Sequence, residues 1–88
     1  MKINCYAVFD AKIADYQLAI FDIKDEGAIR QFYDVLSDSN HRWSKHPEDY
    51  SLWSVGCFDT TKGMIEGHPP LNLVNAVALK SVKEPVIN

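Results

Sequence analysis

Asp25-Glu26-Gly27-Ala28-Ile29-Arg30-Gln31-Phe32-Tyr33-Asp34-Val35-Leu36-Ser37 is the stretch on which the fold turns. Ala28, Ile29, Phe32, Val35 and Leu36 recur at the i, i+3, i+4, i+7 spacing of one buried helical stripe, and Arg30, Gln31 and Asp34 fall on the solvated side. Asp25 suits the N-cap, and Glu26 suits the positive end of the helix dipole. Gly27 in the first turn costs some helix propensity. Ser37-Asp38-Ser39-Asn40 compete for backbone hydrogen bonds and end the helix. A helix with one apolar stripe needs an apolar layer to lie on, and the flanking segments supply it.

Upstream, Ile3, Cys5, Ala7 and Phe9 alternate with Asn4, Tyr6 and Val8, a strand pattern that ends at Asp10. Residues 11–15 read as a short connector. Ile20-Phe21-Asp22-Ile23-Lys24 favours a second strand, with Phe21 and Ile23 on one face and Asp22 and Lys24 on the other. Downstream, His41 to Asp49 reads as a loop in which Pro47 holds His46 extended. Tyr50 to Phe58 is strand-like, with Leu52, Ser54, Gly56 and Phe58 on one face and Trp53, Val55 and Cys57 on the other. Asp59-Thr60-Thr61-Lys62-Gly63 is a hairpin turn in which Gly63 can take positive φ. Met64-Ile65-Glu66 starts a return strand that His68-Pro69-Pro70 is expected to break. Leu71 to Leu79 is apolar and fits either a strand or a short helix. The order β-β-α-β-β plus an apolar closing element predicts an α+β fold: a small antiparallel sheet with one covering helix. Residues 1–82 form a single domain in this reading, and 83–88 a loose tail.

The 88 residues are 47% apolar and 24% charged, a globular balance that argues against disorder. The net charge of −3 speaks against non-specific duplex binding, which runs on neutralised phosphates. Cys5 and Cys57 read as small buried strand residues, with a disulfide or a metal site as the functional alternative. No CxxC or HxxxH spacing supports zinc, so no metal or cofactor is expected. No signal-peptide pattern is present, and no apolar run approaches the roughly 18 residues of a membrane span, so a reducing cytoplasm is the expected location.

His41, His46, His68, Glu48, Asp49, Asp10 and Cys57 could serve acid–base or nucleophilic chemistry. No GxSxG, HExxH, P-loop or GxGxxG pattern accompanies them, and the expectation is a protein that is not an enzyme. His41-Arg42-Trp43-Ser44-Lys45-His46, with Tyr50 and Trp53 close by, interleaves cations and aromatics as single-strand nucleic-acid binders do. The candidate contact residues are therefore Arg42, Trp43, Lys45, His46, Tyr50 and Trp53, with Arg30 adding charge from the helix. The bland alternative is that both tryptophans plug a small core. Trp53 alternates with Leu52, so one of the two faces away from the helix-covered side, exposed or buried in a dimer.

The run from Ser44 to Asp59, Ser-Lys-His-Pro-Glu-Asp-Tyr-Ser-Leu-Trp-Ser-Val-Gly-Cys-Phe-Asp, resembles the core pattern of the small nonstructural protein of gokushoviruses, microviruses with circular single-stranded DNA genomes. Phe9-Asp10, Ala28-Ile29-Arg30 with Phe32, and Gly63 extend the likeness across about residues 3 to 79. The resemblance implies a phage non-virion protein, often described as DNA-binding. It is commonly treated as the counterpart of microvirus protein C, which acts at the switch from genome replication to single-strand packaging. It carries no catalytic residues to transfer. The chain departs from the pattern at Tyr16-Gln17-Leu18-Ala19, where many members have a proline and more basic residues. The expected partner is single-stranded DNA in the host bacterial cytoplasm. The alternative is a protein–protein adaptor on a viral replication or procapsid component or a host factor. A homodimer is compatible with either.

Overall fold

Two hairpins of like design build the sheet. In the computed structural model, which describes residues 1–81, β1 (Lys2–Asp10) turns back into β2 (Asp15–Asp22), and β3 (Tyr50–Asp59) into β4 (Met64–Asn75). Each turn has four residues after an aspartate whose carboxylate accepts backbone N–H bonds: Lys12 N–H to Asp10 Oδ1 at 3.0 Å, and Thr61 and Lys62 N–H to Asp59 Oδ1 at 2.9 and 3.2 Å. Each closes through a left-handed residue, Ala14 at φ 53° and Gly63 at φ 68°. The amide bonds to Asp59 hold its pKa below the ordinary carboxylate value.

The hairpins join through β1 and β3 into one antiparallel sheet, in the order β2-β1-β3-β4. Between them the chain forms α1 (Asp25–Leu36), a four-residue α2 (Arg42–Lys45) and a 3₁₀ turn at Pro47–Asp49, and after β4 it ends in α3 (Ala76–Lys80). The α+β class with a small antiparallel sheet therefore stands. The expected β-β-α-β-β order is corrected, because Arg42–Lys45 and Pro47–Asp49 form helical turns in the expected loop, and the closing element is strand to Asn75 and helix beyond. The expected tail, 83–88, lies outside the described residues.

One face of the sheet carries the core. Tyr6, Val8, Ile20, Tyr50 and Leu52 meet Ala28, Phe32 and Leu36 of α1 and Ala76 and Leu79 of α3. Each large apolar side chain buried there contributes about 1.5–3 kcal/mol. The helical stripe reads as expected, with Ile29 and Val35 at its half-buried margin. The helix start is corrected: Lys24 is the N-cap, and its side chain makes no capping bond. Asp22 serves this end instead, accepting from Lys24 N–H (3.2 Å) and Gln31 Nε2 (3.0 Å). Asp25 sits in the first turn, and its Oδ1 accepts the buried Tyr6 hydroxyl at 2.6 Å. Gly27 earns its place because a Cβ there would overlap the Asp22 carboxylate.

Two bulges opposite β1 reset which residues share a face. Tyr6 pairs with Ile20 but Ala7 with Leu18, which leaves Ala19 extra; Cys5 pairs with Gly56 but Tyr6 with Ser54, which leaves Val55 extra. An extra residue inverts the alternation beyond it. Leu52 and Ser54 therefore face the helices, while Gly56 and Phe58 join Trp53 on the opposite face, a correction to the simple period-2 reading. Cys57 pairs with Asn4 on the helix side and Cys5 lies on the other, so the two thiols are free and on opposite faces. β2 also begins earlier than expected, at Asp15, because pairing with β1 recruits Tyr16 to Ala19. Pro69-Pro70 does not end β4. Gly56 pairs with Gly67 and Ser54 with Leu71, so His68-Pro69-Pro70 bulge out of an edge strand, where missing N–H donors are tolerated.

Candidate nucleic-acid interface

The face of the sheet away from the helices is made of Ile3, Cys5, Ala7 and Phe9 from β1, Tyr16, Leu18 and Phe21 from β2, Ser51, Trp53, Gly56 and Phe58 from β3, and Ile65, Gly67, Asn72 and Asn75 from β4, as the register dictates. No element of the described residues covers it. At the end next to the β1–β2 turn, three rings cluster around the small Ala7. Phe9 lies 4.6 Å from Tyr16 and 6.3 Å from Trp53, centroid to centroid, and Tyr16 and Trp53 meet edge-on at 5.8 Å. The Trp53 indole N–H donates to Ser51 Oγ at 2.8 Å, which fixes the ring. Tyr16 is the most open of the three, 42% exposed. Phe9 and Trp53 stand on the two central strands and Tyr16 on an edge strand. That placement matches the way a four-stranded sheet offers aromatic platforms to unpaired bases.

The sequence-predicted residues are divided by the sheet. Trp53 is on the open face. Trp43 lies on the helix side, its ring 5.5 Å from Phe32, 6.3 Å from Tyr50 and 4.8 Å from His41, as a half-buried wedge of the core. Tyr50 is buried at 5% exposure, with its pKa raised first by burial and then by Asp10, against a lowering from Arg42. Tyr50 is thus buried and Trp43 packs in part against the core, on the side of the sheet opposite Trp53, so the structure does not bring these three expected rings together. The cause is the unforeseen α2. His41 Nδ1 accepts Trp43 N–H at 3.1 Å and caps this turn, and Lys80 Nζ donates to Ser44 O at 2.7 Å to hold its other end. The turn so fixed rotates Trp43 inward and leaves Arg42 and Lys45 exposed.

Arg42 and His46 share a groove with Asp10, Lys12, Ile13, Asp49 and Tyr50, at the same end of the sheet as the three rings. Lys45 is exposed beside it, and Arg30 lies on the solvated side of α1. Phe9, Tyr16 and Lys12, which the structure places at this end, were not among the candidates read from the sequence. The strand alternation that puts Phe9 with Cys5 and Ala7 was the available signal, once a lone helix was seen to cover one face only. His46, Glu48 and Asp49 bring ligand atoms within 4.8 Å of one another, and His46 Nδ1 lies 3.9 Å from Glu48 Oε1. His46 and Glu48 are exposed and Asp49 is half-buried, and three donors fall short of the four-ligand set of a structural zinc site.

These features define a class: an α+β protein whose antiparallel sheet is helix-backed on one side and aromatic and open on the other. Within that class the chain belongs to the Phage ORF5 protein family, whose model it matches over residues 3–79. It is similar to "Protein ORF5" of Chlamydia phage 1, with 37% identity over 67 residues, 72% of this chain and 70% of that relative. The gokushovirus-type likeness read from residues 44–59 is thereby supported at the level of the family. No solved structure matches the chain. No helix among the described residues is long and apolar enough to cross a membrane.

Proposed function

We propose that the chain is a non-enzymatic phage accessory protein that binds single-stranded DNA on the open face of its sheet. In this role it assists genome replication or the switch to packaging, as the counterpart of microvirus protein C. It works in the host cytoplasm, outside the mature virion, and needs no metal or cofactor. The observation that carries the proposal is the cluster of Phe9, Tyr16 and Trp53 on the uncovered sheet face. Base–aromatic stacking contributes about 1–3 kcal/mol per base. Lys12, Arg42, Lys45 and His46 border the same end and can meet phosphates that leave the platform, and exposed Arg30 adds charge from α1. With net charge −3 the phosphate contribution stays small, and duplex, whose bases are not exposed for stacking, is disfavoured.

The test is a fluorescence titration with a short labelled oligonucleotide at low salt. Tyr16→Ala, at an exposed position, should lower affinity about 5- to 150-fold, the equivalent of one lost stack. Unchanged affinity would sink the assignment. A protein–protein adaptor is the second reading, favoured by the uncharged far end of the same face. No binding to any single strand at low salt, together with co-purification of a viral replication or procapsid protein, would select it.

A further inference from the structure

The open face has two ends of different chemistry. From Leu18, which shares a row with Ala7 and Trp53, to the far end it is purely apolar: Leu18, Phe21 and Ile65 are 53%, 48% and 62% exposed, with half-buried Ile3 and Phe58 between them, and Ile23, 57% exposed, follows directly on β2. Phe58 pairs with both Ile3 and Ile65, and Cys5 with Phe21, so the patch is continuous across all four strands. It contains no charged side chain. The nearby Lys2 Nζ and Glu66 Oε1, which pair at 3.4 Å, project from the helix side of the sheet, as their register with Asp59 and Cys57 requires. We propose that this end of the sheet is a self-association surface, on which a second copy of the chain packs face to face.

Three observations favour a second copy over other occupants. Nucleic acid needs cations, and the patch offers none. An uncharged surface brings no like charges together when it packs on its own copy about a two-fold axis, which suits a chain of net charge −3. The area also suits a weak dimer. With large apolar side chains offering on the order of 150–200 Å² each, the patch presents about 500 Å² per chain. That gives a total near 1,000 Å², at the low end of specific interfaces and within the range of transient ones. A stacked pair of sheets would complete the core that this small chain leaves one-sided. The ring cluster lies at the other end of each sheet, so the inference does not depend on DNA binding.

Sedimentation equilibrium of the full chain from about 1 to 300 µM tests it, with a dissociation constant on the order of 10–100 µM expected from so small an interface. Ile65→Lys and Phe21→Lys, both at exposed positions, should each weaken dimerisation at least tenfold, with an unchanged far-UV spectrum showing that the fold survives. A wild-type chain that stays monomeric to 300 µM overturns the proposal. So does a dimer indifferent to both substitutions. Tyr16→Ala should leave the dimer intact while lowering oligonucleotide affinity, so a failure of either idea is read separately.

Discussion

Replacing Trp43 with alanine separates core wedge from contact residue. The indole closes the space between Phe32 on α1 and Tyr50 on β3, at centroid distances of 5.5 and 6.3 Å, and its backbone amide is held by His41. Truncating a fully buried Trp costs about 3–5 kcal/mol. Trp43 is half-buried, so about 2–3 kcal/mol is expected, including the loss of the tilted ring pair with Phe32. An 88-residue domain has roughly 4–13 kcal/mol in all. At about 4–8 °C per kcal/mol for a domain of this size, the melting temperature should fall by about 10–20 °C. Thermal and urea unfolding followed by far-UV circular dichroism measure this. Oligonucleotide affinity, taken well below the variant's melting point, should be within twofold of wild type. A fall of less than about 4 °C accompanied by lost oligonucleotide binding would refute the placement of Trp43 in the core and return it to the contact surface.

Gly56→Ala should be costly for so small a change. A new Cβ would collide with the Glu66 carbonyl and lie 3.0 Å from Gly67 Cα, both backbone, so β4 must shift; about 1–3 kcal/mol is expected in urea unfolding. Ala14→Gly should stabilise the first hairpin by about 0.5–1 kcal/mol, because Ala14 holds φ 53° where the matching turn has Gly63, and a rise in melting temperature checks it. Asp59 has a folded pKa below its unfolded value, so it stabilises above the unfolded pKa and that contribution is lost as pH falls through the folded one. Asp59→Asn should therefore flatten the decline of stability between about pH 5 and pH 2, as read from urea midpoints across that range.

The helix was legible because twelve residues of period 3.6 carry a strong signal, and Phe32 and Leu36 fall where that signal puts them. The strands were legible as strands but not in their faces. Val55 and Ala19 look like ordinary strand residues, and only pairing with β1 reveals that each is one too many. The N-cap was misplaced by one residue, Asp25 for Lys24, because Asp22 serves this helix end while Asp25 accepts the Tyr6 hydroxyl, a long-range contact no local pattern shows. The candidate site was half legible. Arg42, Trp43, Lys45, Tyr50 and Trp53 are neighbours in sequence, and a four-residue helix, too short to show a period, sends Trp43 and Trp53 to opposite sides of the sheet. Tyr16 could not be linked to Trp53 at all, because 37 positions separate them and the strand order joins them.

That strand order also sets the route by which the chain can reach its native state. β1–β2 and β3–β4 are local hairpins, of a kind that forms in about 1–10 µs. The central seam is different: it joins Asp10 to Tyr50 and Lys2 to Asp59, partners 40 to 57 positions apart, and no bond in it can form until the loop carrying α1 and α2 has closed. Docking of the two preformed hairpins along β1 and β3 is then the slow event. Substitutions at the seam, such as Val8→Ala opposite Leu52, should slow refolding, whereas those at the hairpin tips should chiefly speed unfolding. Until the seam closes, the first hairpin and α1 emerge from synthesis with Phe9, Tyr16 and Phe21 already displayed.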